Sequence, residues 1–150
     1  MRRIEKTFGA ALCAALLLAA AACQADPVDE VRAVVEASYI DGAFNDLDPD
    51  AMRAGFHPDF AIFSADGEDI RRYPIDTWAE GVAKRKADPE FDPAKNRWEH
   101  AFPMIEVTGG AAMVKVELSR NDELVYTDYL SLLRFDSGWR IVAKVYAKHP

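Results

Sequence analysis

The chain has 150 residues, half of them hydrophobic and 11% aromatic, with 18 Lys and Arg against 25 Asp and Glu for a net charge of −7. That apolar content excludes a disordered chain, and the length suits one domain with a core of its own. The acidic balance argues against nucleic acid or anionic lipid as a partner, because both are gripped by clustered cations.

Residues 1–25 read as an export signal. Arg2, Arg3 and Lys6 make a basic start, Phe8 to Ala22 is an apolar run, and Cys23-Gln24-Ala25 follows. The run is shorter than a membrane-spanning helix and ends in small residues suited to a signal peptidase. Cleavage after Ala22 or after Ala25 is compatible with the residues. Ala20-Ala21-Ala22-Cys23 also resembles a bacterial lipoprotein box, which makes Cys23 a candidate lipid-attachment residue. Soluble export to the periplasm or medium is the first expectation. A membrane-anchored lipoprotein is the alternative, and the membrane is a partner only if Cys23 is acylated. Cys13 and Cys23 are the two cysteines. Residues 26–150, the expected single domain, therefore carry neither a disulfide nor a thiolate metal site.

Asp26-Pro27-Val28-Asp29 is a helix start, with Asp26 as the cap and Pro27 in the first position. Val28, Val31, Val35 and Tyr39 form one buried stripe, and Gly42 on that stripe allows close approach. Asp48-Pro49 opens a second, short helix that Gly55 would end in a left-handed conformation. Phe60 to Phe63 reads as a short strand closed by Asp66-Gly67. A third helix spans about Ile75 to Arg85, with Ile75, Trp78 and Val82 on one face. Residues 88–93 form a loop.

From Asn96 the hydrophobic period becomes two. Trp98, His100 and Phe102 share a face, and after Pro103 the apolar phase moves to Ile105 and Val107, which predicts a bulge there. Turns follow at Gly109-Gly110, Asn121-Asp122 and Asp136-Ser137-Gly138. Two-residue loops pair Val107 with Ala112 and Leu118 with Val125. A three-residue loop pairs Phe135 with Trp139. This register turns Val114, Val116, Leu118, Thr127, Tyr129, Ser131, Leu133, Trp139 and Ile141 inward. It turns Asp128 outward, opposite Lys115, where the two would form an ion pair. The fold class is α+β: three N-terminal helices packed on a strongly curved antiparallel sheet, together making a cone whose wide end is a pocket.

This order of elements resembles the nuclear transport factor 2-like superfamily, and within it the branch named for lumazine binding. The matching stretches are Tyr39-Ile40-Asp41-Gly42, Phe56-His57-Pro58-Asp59, Trp78, the run from Tyr126 to Leu133, and the run from Gly138 to Tyr146. The resemblance implies the cone-shaped fold, frequent dimerisation and a small-molecule pocket.

The candidate ligand-binding residues are Tyr39, Phe56, Phe63, Trp78, Trp98, His100, Tyr129 and Ser131. The aromatics suit a flat ligand. His100 could act as base or donor, and Tyr129 and Ser131 are the polar members of the inner face. No metal and no cofactor is expected, since His57, His100 and His149 lack ligand spacing and no phosphate-cradling motif occurs. The outer face, read as Tyr126, Leu130, Leu132, Val142 and Tyr146 among Lys115, Glu117, Arg140 and Lys144, has the apolar centre and charged rim of a homodimer contact. The first expectation for function is an exported small-molecule-binding protein without committed catalysis. The alternative is an enzyme of the polyketide-cyclase, dehydratase or isomerase type. It would use His100 and Tyr129, with His57 nearby, for proton transfer next to a carbonyl.

Overall fold

A computed structural model describes residues 25–150. Residues 1–24, which hold Cys23 and all but the last residue of the expected export signal, lie outside the described residues. Among the described residues no helix is long and apolar enough to cross a membrane.

Helix α1 (Pro27–Val34) starts as its sequence dictates: Asp26 accepts a hydrogen bond from the Val28 amide at 2.9 Å, and Pro27 occupies the first turn. The chain then continues as a π-helical segment, Val35–Asn45, rather than as one regular α-helix. The wider turn brings residues five apart onto one side. Tyr39 and Phe44 accordingly meet edge to face at 5.2 Å between ring centres. Helix α2 (Pro49–Gly55) is capped by Asp48, whose carboxylate accepts from the Asp50 and Ala51 amides. Those amide bonds hold the Asp48 carboxyl below its ordinary range. A Cβ at Gly42 would stand 3.2 Å from Met52 Cγ, so the expected close approach is real. Gly55 serves the same purpose and not a left-handed turn: a Cβ there would fall 2.0 Å from Ser38 Oγ. Helix α3 (Ile75–Lys86) buries Ile75, Ala79 and Val82.

The strands are β1 (Phe56–Asp66), β2 (Asp69–Pro74), β3 (Glu99–Thr108), β4 (Ala111–Arg120), β5 (Glu123–Phe135) and β6 (Gly138–Lys148). They form one sheet in the order β2-β1-β6-β5-β4-β3. Two features depart from the expected architecture. Strand β1 runs on well before Phe60 and forms a hairpin with β2, which the alternation pattern of Asp69–Pro74 does not reveal because every one of its residues is exposed. Strand β1 also lies parallel to β6, so the sheet is mixed and not wholly antiparallel, and it is not strongly curled.

The bulge at Pro103 is present: pairing between β3 and β4 slips between Ala101 and Met104, and Val107 faces Ala112 beyond it. The Asn121-Asp122 turn is a two-residue loop with both residues at positive φ, 54° and 61°. The expected register nevertheless fails one step further on. Ser119 pairs with Leu124 but Leu118 pairs with Tyr126, so Val125 is an extra residue in β5. At the other end of β5 the loop is two residues long, with Phe135 opposite Gly138 and Leu132 opposite Ile141. A further extra residue, Val142, precedes the pairing of Ala143 with Ser131. A one-residue slip reverses the facing of a strand. Tyr126, Asp128, Leu130 and Leu132 therefore point inward, while Tyr129, at 39% exposure, and Leu133 point outward. The same step brings Lys144 inward and leaves Val145 exposed. Lys115 faces Tyr129 and pairs with Glu117 at 2.9 Å, not with Asp128.

The core lies between the helices and this inner face. Val31, Val35 and Tyr39 of the first helix pack with Phe56 and Phe60 of β1 and with Val114, Val116, Leu118, Leu130, Leu132 and Ile141 of the sheet.

Candidate functional site

A cavity of about 320 Å³ opens between α3, the π-helical segment and the β2-β1-β6-β5 half of the sheet. Phe44, Ile62, Trp78, Tyr126 and Tyr146 give it aromatic and aliphatic walls, and Ser64, Tyr73 and Arg71 add polar atoms from the β1-β2 hairpin. The sheet register explains the hairpin's share. Ile62 pairs with Lys144 on one side and Tyr73 on the other, and Ser64 pairs with Arg71, so all five belong to one face. Arg71 is an exposed residue held by Asp66 at 2.8 Å.

Lys144 also lines this cavity, although only 5% of the residue is exposed. Its ammonium meets Asp128 Oδ1 at 2.9 Å and donates to the Tyr39 hydroxyl at 2.6 Å. The Tyr39 hydroxyl in turn donates to Asp128 Oδ2, closing a triangle of three side chains. Asp128 and Tyr39 are fully buried, so Lys144 is the member that faces the cavity. Aromatic faces surround the ammonium: Tyr39 at 4.9 Å, Tyr146 at 5.1 Å, Trp78 at 5.6 Å and Phe44 at 5.7 Å from ring centre to Nζ.

The electrostatics follow from burial. Removal from water lowers the Lys144 pKa from its ordinary value, and the Asp128 charge and hydrogen bond restore part of the loss. Burial raises the Tyr39 phenol well above its ordinary value, and the adjacent Asp128 carboxylate raises it further. Tyr39 is thus a fixed neutral donor. Lys144 is a cation held more weakly than a surface lysine, and it is the chemically adjustable group of the cavity.

The expected site residues divide. Trp78 lines the cavity. Tyr39 stands behind the wall with its hydroxyl on Lys144, and Phe56 is buried one layer deeper, 5.6 Å from the Trp78 ring. Trp98 flanks the wall and packs on Phe44 at 5.4 Å and on Tyr126 at 5.9 Å. Its backbone amide donates to Asn45 at 2.8 Å. Phe63 is on the other side of β1, because the residue before it, Ile62, is the inward one; it borders a shallow surface hollow with Ile70 and Val145. His100 lies on β3 at the edge of the sheet, exposed, with its ring against Phe102 at 5.1 Å. Tyr129 and Ser131 are on the outer face for the reason already given, the extra Val125. Ser131 borders an outer hollow with Met113 and Leu133. His100 and Tyr129 therefore share no cavity, and a proton-transfer pair made of them is not formed. His57 stacks on Phe135 at 5.0 Å and accepts from the Asp59 amide, away from the cavity.

Of the cavity-lining residues only Trp78 was a candidate from sequence; Lys144, Phe44, Ile62, Tyr126, Tyr146 and the residues of the β1-β2 hairpin, with Asp128 behind them, were not. One signal was available. Within β5 the even positions Tyr126, Leu130 and Leu132 are apolar around the single charge of Asp128, whereas the odd set includes Thr127 and Ser131. Among the described residues no group of three His, Cys, Asp or Glu stands close enough to hold a metal.

Three solved structures share the fold. An NTF2-like protein of unknown function from Shewanella baltica OS155 has 26% identity and a TM-score of 0.63, over 85% of this chain and 99% of that one. A counterpart from Methylobacillus flagellatus KT has 24% identity and a TM-score of 0.64, over 85% of this chain and 95% of that one. One from Silicibacter pomeroyi DSS-3 has 24% identity and a TM-score of 0.63, over 81% and 95%. Among curated proteins, a Cladobotryum protein named Aldolase FrzH is 30% identical over 101 residues, 65% of this chain and 74% of its own length. The family model described as Putative lumazine-binding matches residues 26–147. With nearly every described residue inside that match, the chain belongs to the Putative lumazine-binding family, on an NTF2-like fold.

Proposed function

We propose that the protein is exported and that its domain holds a small, flat, largely apolar molecule in the Trp78–Tyr146 cavity, with an oxygen acceptor of that molecule directed at Lys144. The observation that carries this reading is the combination of aromatic walls with one buried, adjustable cation facing the space between them. Pockets that combine apolar walls, few polar groups and a perturbed titratable residue are the usual ligand sites of small domains. Export rests on the basic start, apolar run and small residues of segment 1–25, with acylation at Cys23 as the membrane-anchored alternative. A peptide beginning at Cys23 and carrying an acyl mass would establish the anchor.

A second reading has one observation in its favour. A relative is named as an aldolase, and Lys144, held by Tyr39 and Asp128, supplies a proton donor at the cavity in place of His100 and Tyr129.

A homodimer through the outer sheet face also remains part of the proposal, with the face re-read from the observed register. Met113, Tyr129, Leu133 and Val145 are its exposed apolar residues, beside the Lys115–Glu117 pair. A second copy would cover apolar area and leave the charges at the rim.

Calorimetric titration with 2-naphthalenemethanol tests the pocket. One saturable site in the native protein and none in Ser64→Trp, whose indole would fill the cavity, is the expected result. Equal binding by both proteins, or none by either, would overturn the reading.

A further inference from the structure

We infer that Lys144 forms a covalent imine with an aldehyde or ketone admitted to the cavity, so that the site takes carbonyl compounds as reactants and not merely as guests. This rests on the pocket reading above and adds a bond to it. Four observations converge. Lys144 lines the cavity, whose remaining walls are mostly aromatic and aliphatic. Asp128 Oδ1 stands 2.9 Å from that nitrogen, close enough to take its proton. The Tyr39 hydroxyl, 2.6 Å away, fixes the nitrogen's position. Burial weakens the ammonium's hold on its proton, which is what an amine nucleophile requires.

The step balances with the groups present. Asp128 takes one proton from the Lys144 ammonium. The freed lone pair attacks the carbonyl carbon, a C–N bond forms, and the C=O π pair moves to oxygen. That oxygen collects a proton from nitrogen, giving a neutral carbinolamine. Asp128 returns its proton to the same oxygen, the C–O bond breaks with its pair, and water leaves as the nitrogen lone pair closes the C=N bond. Ammonium and carbonyl have become iminium and water. The positive charge remains beside Asp128 and among the rings of Tyr39, Tyr146, Trp78 and Phe44. No oxidant, reductant or metal enters. An iminium so placed acidifies the adjacent carbon, which connects this site to carbon–carbon bond chemistry of the carbonyl class.

The test uses residues 26–150, 2-naphthaldehyde as probe and cyanoborohydride to trap the iminium as a secondary amine, followed by peptide mass spectrometry. The expected result is that, among the lysines, Lys144 takes up the naphthylmethyl group at pH 7 severalfold faster than the exposed Lys84 and Lys86, because it is the lysine placed at the cavity. The adduct is expected to fall away when 2-naphthalenemethanol competes and to be absent in Lys144→Arg. Mapping and competition are read on the native protein, so the test stands even if that variant does not fold. Labelling at Lys84, Lys86 and Lys144 at equal rates would overturn the inference. So would no adduct at Lys144 while the alcohol still binds, a result that leaves the pocket reading intact. If the alcohol also fails to bind, the pocket reading itself is at fault and the imine falls with it.

Discussion

Lys144 has lost the water that an ammonium ordinarily keeps, and Asp128 with four aromatic rings returns part of that solvation. Removing one member of a buried pair strands the other, at a typical cost of about 3–5 kcal/mol. Lys144→Met is therefore expected to lower unfolding free energy by about 3 kcal/mol, the lower end, because Tyr39 still donates to Asp128. The double variant Asp128→Leu/Lys144→Met is expected to recover most of the loss, since apolar replacements of a whole buried pair are commonly neutral or better. Urea unfolding of the two variants distinguishes an ion pair from simple packing, which would make the losses add. The pH dependence has a definite sign. The folded-state pKa of Lys144 is lowered, so between that value and the ordinary lysine value the unfolded chain binds more protons. Stability attributable to Lys144 should rise with pH across that window and be complete above it. The native protein minus Lys144→Met, measured from pH 7 upward, should rise; a falling difference would contradict the assignment.

At the scale of elements, packing distance and not chain conformation explains Gly55. Gly55→Ala would drive a Cβ into buried Ser38 where the π-helical segment meets α2, and should cost about 1–3 kcal/mol in unfolding free energy, an overpacking penalty. Thermal or urea unfolding checks it, and Ser38→Gly in the same chain should restore most of the loss. The legibility of the strands has the same local origin. Caps at Asp26 and Asp48, the extent of α3, the bulge at Pro103 and the Gly109-Gly110 turn each follow from residues within a few positions, and each is present. The bulges at Val125 and Val142 carry no such mark. Neither has a proline or glycine, and valine is at home in a regular strand. Asp128 hid the correct phase further, because a carboxylate on a core face is expected only when a partner is known, and its partner lies on another strand, 16 residues later in the chain. The hairpin strand β2 was invisible for a simpler reason: a fully exposed strand has no apolar alternation to read. Trp78, Tyr39 and Phe56 were legible as site neighbours because helix and strand starts fixed their facing. Tyr129 and Ser131 were not, because their facing depended on one uncounted residue.

For the whole molecule, the two faces of one sheet divide the work. The inner face carries the cavity and the ion pair. The outer face presents Met113, Tyr129, Leu133 and Val145 to solvent. If a second copy covers that outer face, Leu133→Asp/Val145→Asp should convert a dimer into a monomer in sedimentation equilibrium and leave 2-naphthalenemethanol binding unchanged, because neither residue borders the cavity. A native protein that is already monomeric at high concentration would remove the dimer from the account without touching the pocket. The pocket itself is decided by Lys144. An NMR titration of its side chain in the folded protein, with and without 2-naphthalenemethanol, is the most direct measurement. The account predicts a titration below the ordinary lysine range and side-chain resonances that shift when the alcohol binds. A Lys144 that titrates like a surface lysine and ignores the alcohol would contradict it.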